Sequence, residues 1–324
     1  MPTVDVSVVI PSYNEEAGLE KNIAAIVSAL TGWDKRWEII LVNDGSTDGT
    51  PAILEKLSAV DPRIRFISYR DNRGRGFALR TGIGAAEGDL IVTTEADLTW
   101  GADIVTRLVE ALEESGKDII IASPYAPKGR LVNVPLKRAL VSRIGNRFLR
   151  TSMPAGITMV SGMTRCYRKY VLDSLELESD GKEFHAEVLF KAVVLGYRIG
   201  EIPATLRWEP ARPGAPKRRS SLSVRRMVWG HVILWLLEKP VFLFGFLGLL
   251  LVLAGVAGGA YITYLRFTGG LNPERPLMTL VIILILGGFQ ILAFGFIATL
   301  LIRVRNEVFR IQKENRMILK KLKN

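Results

Sequence analysis

An α/β domain with a mostly parallel central sheet, followed by a hairpin of two membrane-spanning helices, is the architecture this 324-residue chain predicts. Three observations lead there. Short, β-branched apolar runs alternate with amphipathic segments through the first part of the chain. Two long stretches near the C-terminus carry no charge, and basic residues border those stretches on their outer sides.

The apolar runs at 6–10, 39–42, 64–68, 90–94 and 119–122 predict strands, because they are apolar on both faces rather than alternating. Between them, 15–30, 50–57, 76–86 and 103–114 predict helices; in the first, Leu19, Ile23, Ile26, Val27 and Leu30 repeat on one face. A βαβα order with short connections implies a parallel sheet covered on both sides, whose ligands bind at the carboxyl ends of the strands. The polar clusters 11–15, 43–48 and 95–97 each follow a predicted strand and are expected to converge on one crevice.

Segment 133–150 interleaves Leu136, Leu140, Ile144 and Phe148 with Arg138, Arg143, Arg147 and Arg150. Two readings stay open: a helix lying at a bilayer surface, or an ordinary surface helix packed on the sheet. A loop rich in proline, serine and basic residues is expected at 210–223, and an interfacial helix at 222–237.

Val241 to Tyr264 and Leu277 to Ile302 hold no charged residue, and Gln290 is the one strongly polar side chain in the second run. At about 1.5 Å per residue each reaches roughly 35 to 40 Å, enough to cross a hydrocarbon core of about 30 Å with some tilt. Lys and Arg cluster before the first run and after the second, so the large domain and both termini are expected on the cytoplasmic side. These flanks account for much of the net charge of +11, which fits anionic lipid head groups better than nucleic acid. In the tail, Val308, Ile311, Ile318 and Leu322 read as irregularly spaced on a surface helix or coiled contact. No secretion signal opens the chain. One cysteine and two histidines exclude an intrachain disulfide and leave little for a transition-metal centre.

Glu95-Ala96-Asp97 directly follows a predicted strand. Paired carboxylates there can offer hard oxygen ligands to Mg²⁺ or Mn²⁺ bridging a diphosphate, or can be a solvated turn. Asp44 ends the second strand, where a carboxylate can accept from a ribose or base, while Asp48 is placed to cap the next helix. Asn72, Gly74 and Gly76, with Arg73 and Arg75, are expected to let a phosphate approach the backbone.

These motifs, Val9-Ile10-Pro11-Ser12-Tyr13-Asn14-Glu15, Val42-Asn43-Asp44-Gly45-Ser46-Thr47-Asp48, Asn72-Arg73-Gly74-Arg75-Gly76 and Glu95-Ala96-Asp97-Leu98, resemble glycosyltransferase family 2 with its GT-A fold. Within it the chain is similar to the dolichyl-phosphate mannose synthases and bacterial polyprenyl-phosphate glycosyltransferases. The resemblance implies that Pro11, Tyr13, Asn14, Glu15 and Asp44 surround the nucleotide and that Asp97, with Glu95 in place of the usual aspartate, holds the metal. It assigns catalytic roles to Asp97, Glu187, Arg165 and Arg219, and puts Ser220 and Ser221 in a loop over the diphosphate. The family's Ser-Arg-Tyr is here Ser123-Pro124-Tyr125, so Arg130, Arg138 and Arg143, with Ser161, become the candidates for a lipid phosphate. His185 and Glu187 are candidates to orient a sugar.

The expected organisation is a cytoplasmic GT-A domain at 1–209, a mobile loop and interfacial helix at 210–240, a transmembrane hairpin at 241–302 and a basic tail at 303–324. The expected reaction is hexosyl transfer with inversion from UDP-hexose or GDP-mannose to polyprenyl or dolichyl phosphate. The alternatives are transfer to a lipid hydroxyl such as diacylglycerol, with Glu187 or Asp180 as base, and a non-catalytic nucleotide-sugar-binding subunit. The bilayer and further copies of the chain are the expected partners, nucleic acid is not, and the protein is expected in the cell membrane.

Overall fold

The computed structural model describes residues 4–150, 153–154, 156–208, 240–268 and 276–323. It divides into two compact units, 1–218 and 219–324.

In the first unit, β1 (Val6–Ser12), β2 (Trp37–Asp44), β3 (Ile64–Tyr69) and β4 (Leu90–Thr93) pair in parallel in the order β3-β2-β1-β4. The helices between them are α1 (Leu19–Leu30), α2 (Thr50–Val60) and α3 (Arg75–Ala85). After α4 (Ile104–Ser115) come β5 (Ile119–Ser123), the short β6 (Arg130–Val132), α5 (Leu136–Leu149), β7 (Arg165–Arg168), α6 (Lys169–Ser174), α7 (Phe184–Val194), β8 (Ile199–Pro203) and β9 (Thr205–Arg207). The seven-stranded sheet continues as β7-β5-β8, and β6 and β9 form a separate parallel pair.

The five expected strands are present, and the sheet is mostly parallel. β7 is the exception: it lies between β4 and β5 and runs antiparallel to both. Its residues Arg165-Cys166-Tyr167-Arg168 lack an apolar run, so periodicity did not mark it. Both faces of the sheet are covered, as its apolar strands require. Leu19, Ile23, Leu54, Ile104 and Leu108 pack on one side, and Ala78, Leu79, Leu172, Phe184 and Val188 on the other. The first helix starts at Leu19 rather than at 15. Asn14 sits at φ +53°, and the Glu15 carbonyl accepts the N–H groups of Gly18 and Leu19, which makes 15–18 a turn.

α5 does not bury its apolar stripe on the sheet. Leu136 is 87% exposed and Ile144 59%, with Leu140 and Val141 also outward. Asn146 instead faces inward, its Oδ1 accepting from the N–H groups of Val160 and Ser161. Of the two readings of this segment, the ordinary packed helix is the one the exposure opposes.

The second unit holds α8 (Pro240–Phe267) and α9 (Pro276–Lys323). Val241–Phe267 and Pro276–Arg305 are long and apolar enough to cross a membrane. They meet through glycines: a Cβ at Gly248 would lie 2.8 Å from the Gly288 carbonyl oxygen, so only hydrogen lets the backbones approach this closely. The expected loop and interfacial helix at 210–240, except Pro240 itself, lie outside the described residues.

α3 supplies a paired test of how tightly the domain is packed. A Cβ at Gly76 would stand 2.4 Å from the Ser179 carbonyl oxygen, whereas nothing lies within 4 Å at Gly84. Gly76→Ala is expected to destabilise the domain by about 1–3 kcal/mol through overpacking. Gly84→Ala is expected to stabilise it by about 0.5–1 kcal/mol through reduced chain entropy. Thermal or denaturant melts of the two variants beside wild type check both signs.

Candidate active site

The carboxyl ends of β1, β2 and β4 do bring the three polar clusters to one edge of the sheet. The loop after β1 and the loop after β2 are tied together by side chains. Asn14 Oδ1 accepts the Thr47 N–H at 2.8 Å, Ser46 Oγ accepts the Asn14 N–H at 3.0 Å, and Thr50 Oγ1 accepts the Glu15 N–H at 3.0 Å. Asn14 is therefore a tie between loops. Asp48 accepts the N–H of Thr50, the first residue of α2, as a residue at a helix start does, and also that of Glu16. Pro11 and Tyr13 line the same edge, Tyr13 with 46% of its surface exposed.

Asp44 is almost fully buried, and its carboxylate is committed to the 69–74 turn. It accepts from the Tyr69 hydroxyl at 2.8 Å, the Arg73 N–H at 2.8 Å, the Gly74 N–H at 3.0 Å and Asn72 Nδ2 at 3.1 Å. Burial, then the neighbouring Asp44 charge and hydrogen bond, pushes the Tyr69 hydroxyl above its ordinary pKa and keeps it a donor.

The glycines of that turn were expected to admit a phosphate. The structure corrects this: they admit protein backbone. A Cβ at Gly74, whose φ is +98°, would meet the Asp180 carbonyl oxygen at 2.5 Å, and the same oxygen accepts the Gly76 N–H at 2.7 Å and the Phe77 N–H at 3.2 Å. Segment 179–181 thus caps α3, and the amides that would otherwise bind an anion are occupied. Asn72 is spent on Asp44.

This seating places Arg75, the first residue of α3, beside the acidic loop: its Nη1 lies 3.5 Å from Glu95 Oε1. Trp100 Nε1 donates to Glu95 Oε2 at 3.3 Å, and the Ala96 carbonyl accepts from Asn22. Asp97 Oδ1 accepts from the Thr99 N–H at 3.1 Å and from its hydroxyl. Among the described residues its Oδ2 receives no hydrogen bond. Leu98 is held at φ +54°, a strained conformation for a branched residue, by a turn closed from the Gly101 N–H to the Leu98 carbonyl at 2.9 Å.

Lys182, just before α7, is a cation near this site that sequence reasoning did not single out. Crowding of its ammonium by protein, then the charges of Arg75 and Arg138, pushes its pKa below the usual lysine value, while Glu95 opposes the shift. Arg75 and Lys182 are thus the two cations that interact with Glu95. Nothing in the residue pattern marks Lys182 beyond its neighbours in 182–187. Arg138 lies over the Trp208 ring, 4.1 Å from its centroid, and the Arg207 N–H donates to the Thr99 carbonyl at 2.8 Å, so β9 links that cation to the acidic loop.

Other expected site residues sit elsewhere. Arg165 was expected to be catalytic, but it is fully buried and donates to the carbonyls of His185 at 2.6 Å and Val160 at 2.5 Å, so its guanidinium ties two segments together. His185 is buried with both ring nitrogens unpartnered among the described residues. Burial, then the charges of Arg165, Arg75 and Lys182, holds it well below its ordinary pKa, which favours the neutral imidazole. Ser161 is exposed and bonded to Asn146; Arg130 is exposed on β6, and Arg143 lies 5.9 Å from the Tyr125 ring centroid. Arg219, Ser220 and Ser221 lie outside the described residues.

Glu187 is also not a free base. Burial raises its pKa, but Lys191 Nζ at 2.6 Å and the N–H groups of Ser179 and Glu178, each at 2.9 Å, outweigh burial and hold it below the usual carboxylate value. It fixes the segment that caps α3.

The sequence pattern described as "Glycosyl transferase family 2" matches residues 7–176, more than half of the chain. This chain belongs to glycosyl transferase family 2. Polyprenol monophosphomannose synthase of Mycolicibacterium smegmatis is 31% identical over 211 residues, 63% of this chain and 78% of that protein. Dolichol-phosphate mannosyltransferase of Pyrococcus furiosus is 33% identical over 203 residues, 62% of this chain but 56% of that protein, so the shared part is about half of the latter's length. The fold matches glucosyl-3-phosphoglycerate synthase from Mycobacterium tuberculosis, solved with Mn²⁺, UDP and phosphoglyceric acid. The TM-score is 0.51 at 24% identity, over 65% of this chain and 72% of that one. As a family 2 member on the GT-A fold, the chain is a glycosyltransferase with a nucleotide-sugar-binding domain.

The Glu187 pairing predicts a pH signature. A carboxyl whose folded pKa is depressed stabilises the fold above its unfolded value, ordinarily 4.5, and that contribution is lost as pH falls through the folded value. Wild type should be more stable than Glu187→Gln at neutral pH, with the gap closing as pH falls below 4.5. Melting curves of the two proteins across that range check it.

Proposed function

We propose that the protein transfers a hexosyl group from UDP-hexose or GDP-mannose to a polyprenyl or dolichyl phosphate at the cytoplasmic membrane surface, with inversion. The observation that carries this reading is the Glu95–Asp97 loop at the strand ends with Arg75 seated 3.5 Å from Glu95, and with Lys182 in the electrostatic field of Arg75, Arg138 and Glu95. Such a site suits two phosphate-bearing substrates, one on each side of the transferred sugar.

Asp97 Oδ2 and Glu95 supply hard oxygen donors, and no group of three or more His, Cys, Asp or Glu that could hold a metal occurs among the described residues. That donor set fits Mg²⁺ or Mn²⁺ shared with a diphosphate and water better than an all-protein cage. The ion would supply positive charge for the leaving diphosphate. Pro11, Tyr13, Glu15 and the braced Asp44 turn hold the nucleotide end, and Arg219, Ser220 and Ser221, outside the described residues, are assigned to the diphosphate by the family resemblance alone.

An acceptor phosphate oxygen bonds to the anomeric carbon as that carbon's bond to the donor diphosphate breaks, the electron pair leaving with the nucleoside diphosphate. A phosphate is already anionic near neutrality and needs positioning rather than a base. Lys182 and Arg138 provide it in place of the arginine that Pro124 replaces. A lipid-hydroxyl acceptor would need a base, and both candidate carboxylates are engaged: Glu187 by Lys191 and Asp180 by Arg80.

In this reading the catalytic domain is cytoplasmic and lies at 1–209, and the spans of the hairpin and the basic tail follow after the segment 210–239, which is outside the described residues. The exposed apolar face of α5, flanked by Arg143, Arg147 and Arg150, dips into the head-group layer where the lipid phosphate resides.

Mass spectrometry of lipids formed from polyprenyl phosphate, Mg²⁺ or Mn²⁺ and a panel of nucleotide sugars tests this reading. Wild type should form one new sugar-phosphate lipid, and Asp97→Asn should lose it by at least about 100-fold. A glycosylated neutral lipid instead would overturn the phosphate acceptor. Lys182→Met should raise KM for the lipid phosphate about 10-fold, a loss of about 1.4 kcal/mol, with nucleotide-sugar KM little changed. Steady-state kinetics on each substrate separates the two.

A further inference from the structure

α9 is a single unbroken helix of 48 residues, and the apolar part of it that can cross a membrane ends at Arg305. At 1.5 Å per residue the remainder projects about 27 Å further. A helix continuous with a membrane span cannot also lie flat on the bilayer surface. An apolar stripe nevertheless runs from the end of the span into the projecting part: Val304, Val308 and Ile311 are 61%, 47% and 55% exposed.

The spacing, read as irregular from four positions, is a regular heptad once Val304 and Asn315 are included. Val304, Val308, Ile311, Asn315, Ile318 and Leu322 alternate steps of four and three, the d and a positions of a coiled coil. The same register runs back through the membrane span along Leu280, Ile283, Gly287, Gln290, Phe294, Ile297 and Leu301. Every described side chain of that stripe apart from Gly287 is exposed, and a Cβ at Gly287 would meet nothing within 4 Å. α8 occupies a different face of α9, meeting it at Val281, Ile285, Gly288 and Leu292.

Two polar residues interrupt the stripe, Gln290 inside the apolar span and Asn315 in the tail, both exposed. An amide facing hydrocarbon without a partner is costly, and Gln and Asn in such positions hydrogen-bond across helices. A second copy inserted in the same membrane has the same orientation, so two α9 helices are necessarily parallel. In register they set Gln290 against Gln290 and Asn315 against Asn315, where each amide finds both a donor and an acceptor. A buried Asn at an a position fixes two-stranded register. Contact over about 50 Å of paired helix buries on the order of 1,500 Å², the size of a stable interface.

We propose that this stripe of α9 is a parallel coiled-coil interface with a second copy of the chain, running from the membrane span into the tail. It rests on the reading of α8 and α9 as membrane spans and is independent of the sugar acceptor.

The sole native cysteine, Cys166, is buried, so an introduced cysteine is the reactive thiol. Val308→Cys and Ile311→Cys in the full chain, oxidised in native membranes, should give a band of twice the chain mass that reduction abolishes. Arg303→Cys, an exposed position off the stripe, should give at least 10-fold less. Equal cross-linking at all three positions, none at 308 and 311, or an adduct of any other mass would overturn the interface. Resistance of the chain to alkaline extraction reads the membrane assignment separately, and transferase activity reads the proposed function.

Discussion

The seating of the 179–181 backbone against Gly74 and Gly76 is the contact on which the site depends. It requires two residues without side chains and an Asp44 carboxylate that gathers the preceding turn by four protein donors. Glu187, held low by Lys191 and two backbone N–H groups, fixes the other side of the contact. With these in place Arg75 lies beside Glu95, and Lys182, in the segment after 179–181, falls in the field of Arg75 and Glu95. The buried carboxylates of this site are thus largely devoted to holding cations and backbone in place, while Asp97 keeps one carboxylate oxygen without a hydrogen bond among the described residues.

Much of the fold was legible because a parallel sheet buries both faces: its strands are bare apolar runs, and the helices between them carry one-sided stripes. β7 was not legible, since its arginines donate to carbonyls supplied only by tertiary contacts that no local pattern records. The site was legible to the level of loops. Asp44, Glu95 and Asp97 stand at the strand ends where the motifs put them. Arg165, Glu187 and His185 were misjudged for one reason: a charged or titratable residue in a motif looks the same in sequence whether it faces a crevice or is buried in its supporting wall. Lys182 was missed for the complementary reason, because its role comes from Arg75 and Arg138, which lie far from it in the chain.

The two units divide the physical labour. The first excludes water from a sheet and displays charge at one edge together with the apolar face of α5, and the second supplies helices whose outward surfaces suit hydrocarbon. The proposed lipid-borne phosphate acceptor has one end that suits the cations of the first unit's site and one that suits exposed apolar surface such as that of α5 in the same unit.

The acid stability of the product tests that account most directly. A radiolabelled sugar transferred to polyprenyl phosphate forms a glycosyl phosphate, whose anomeric carbon bears a good leaving group. The account predicts that mild acid releases the sugar from the lipid fraction completely. Label that stays with the lipid through the same treatment would mean a glycosidic bond to a hydroxyl, and would contradict it.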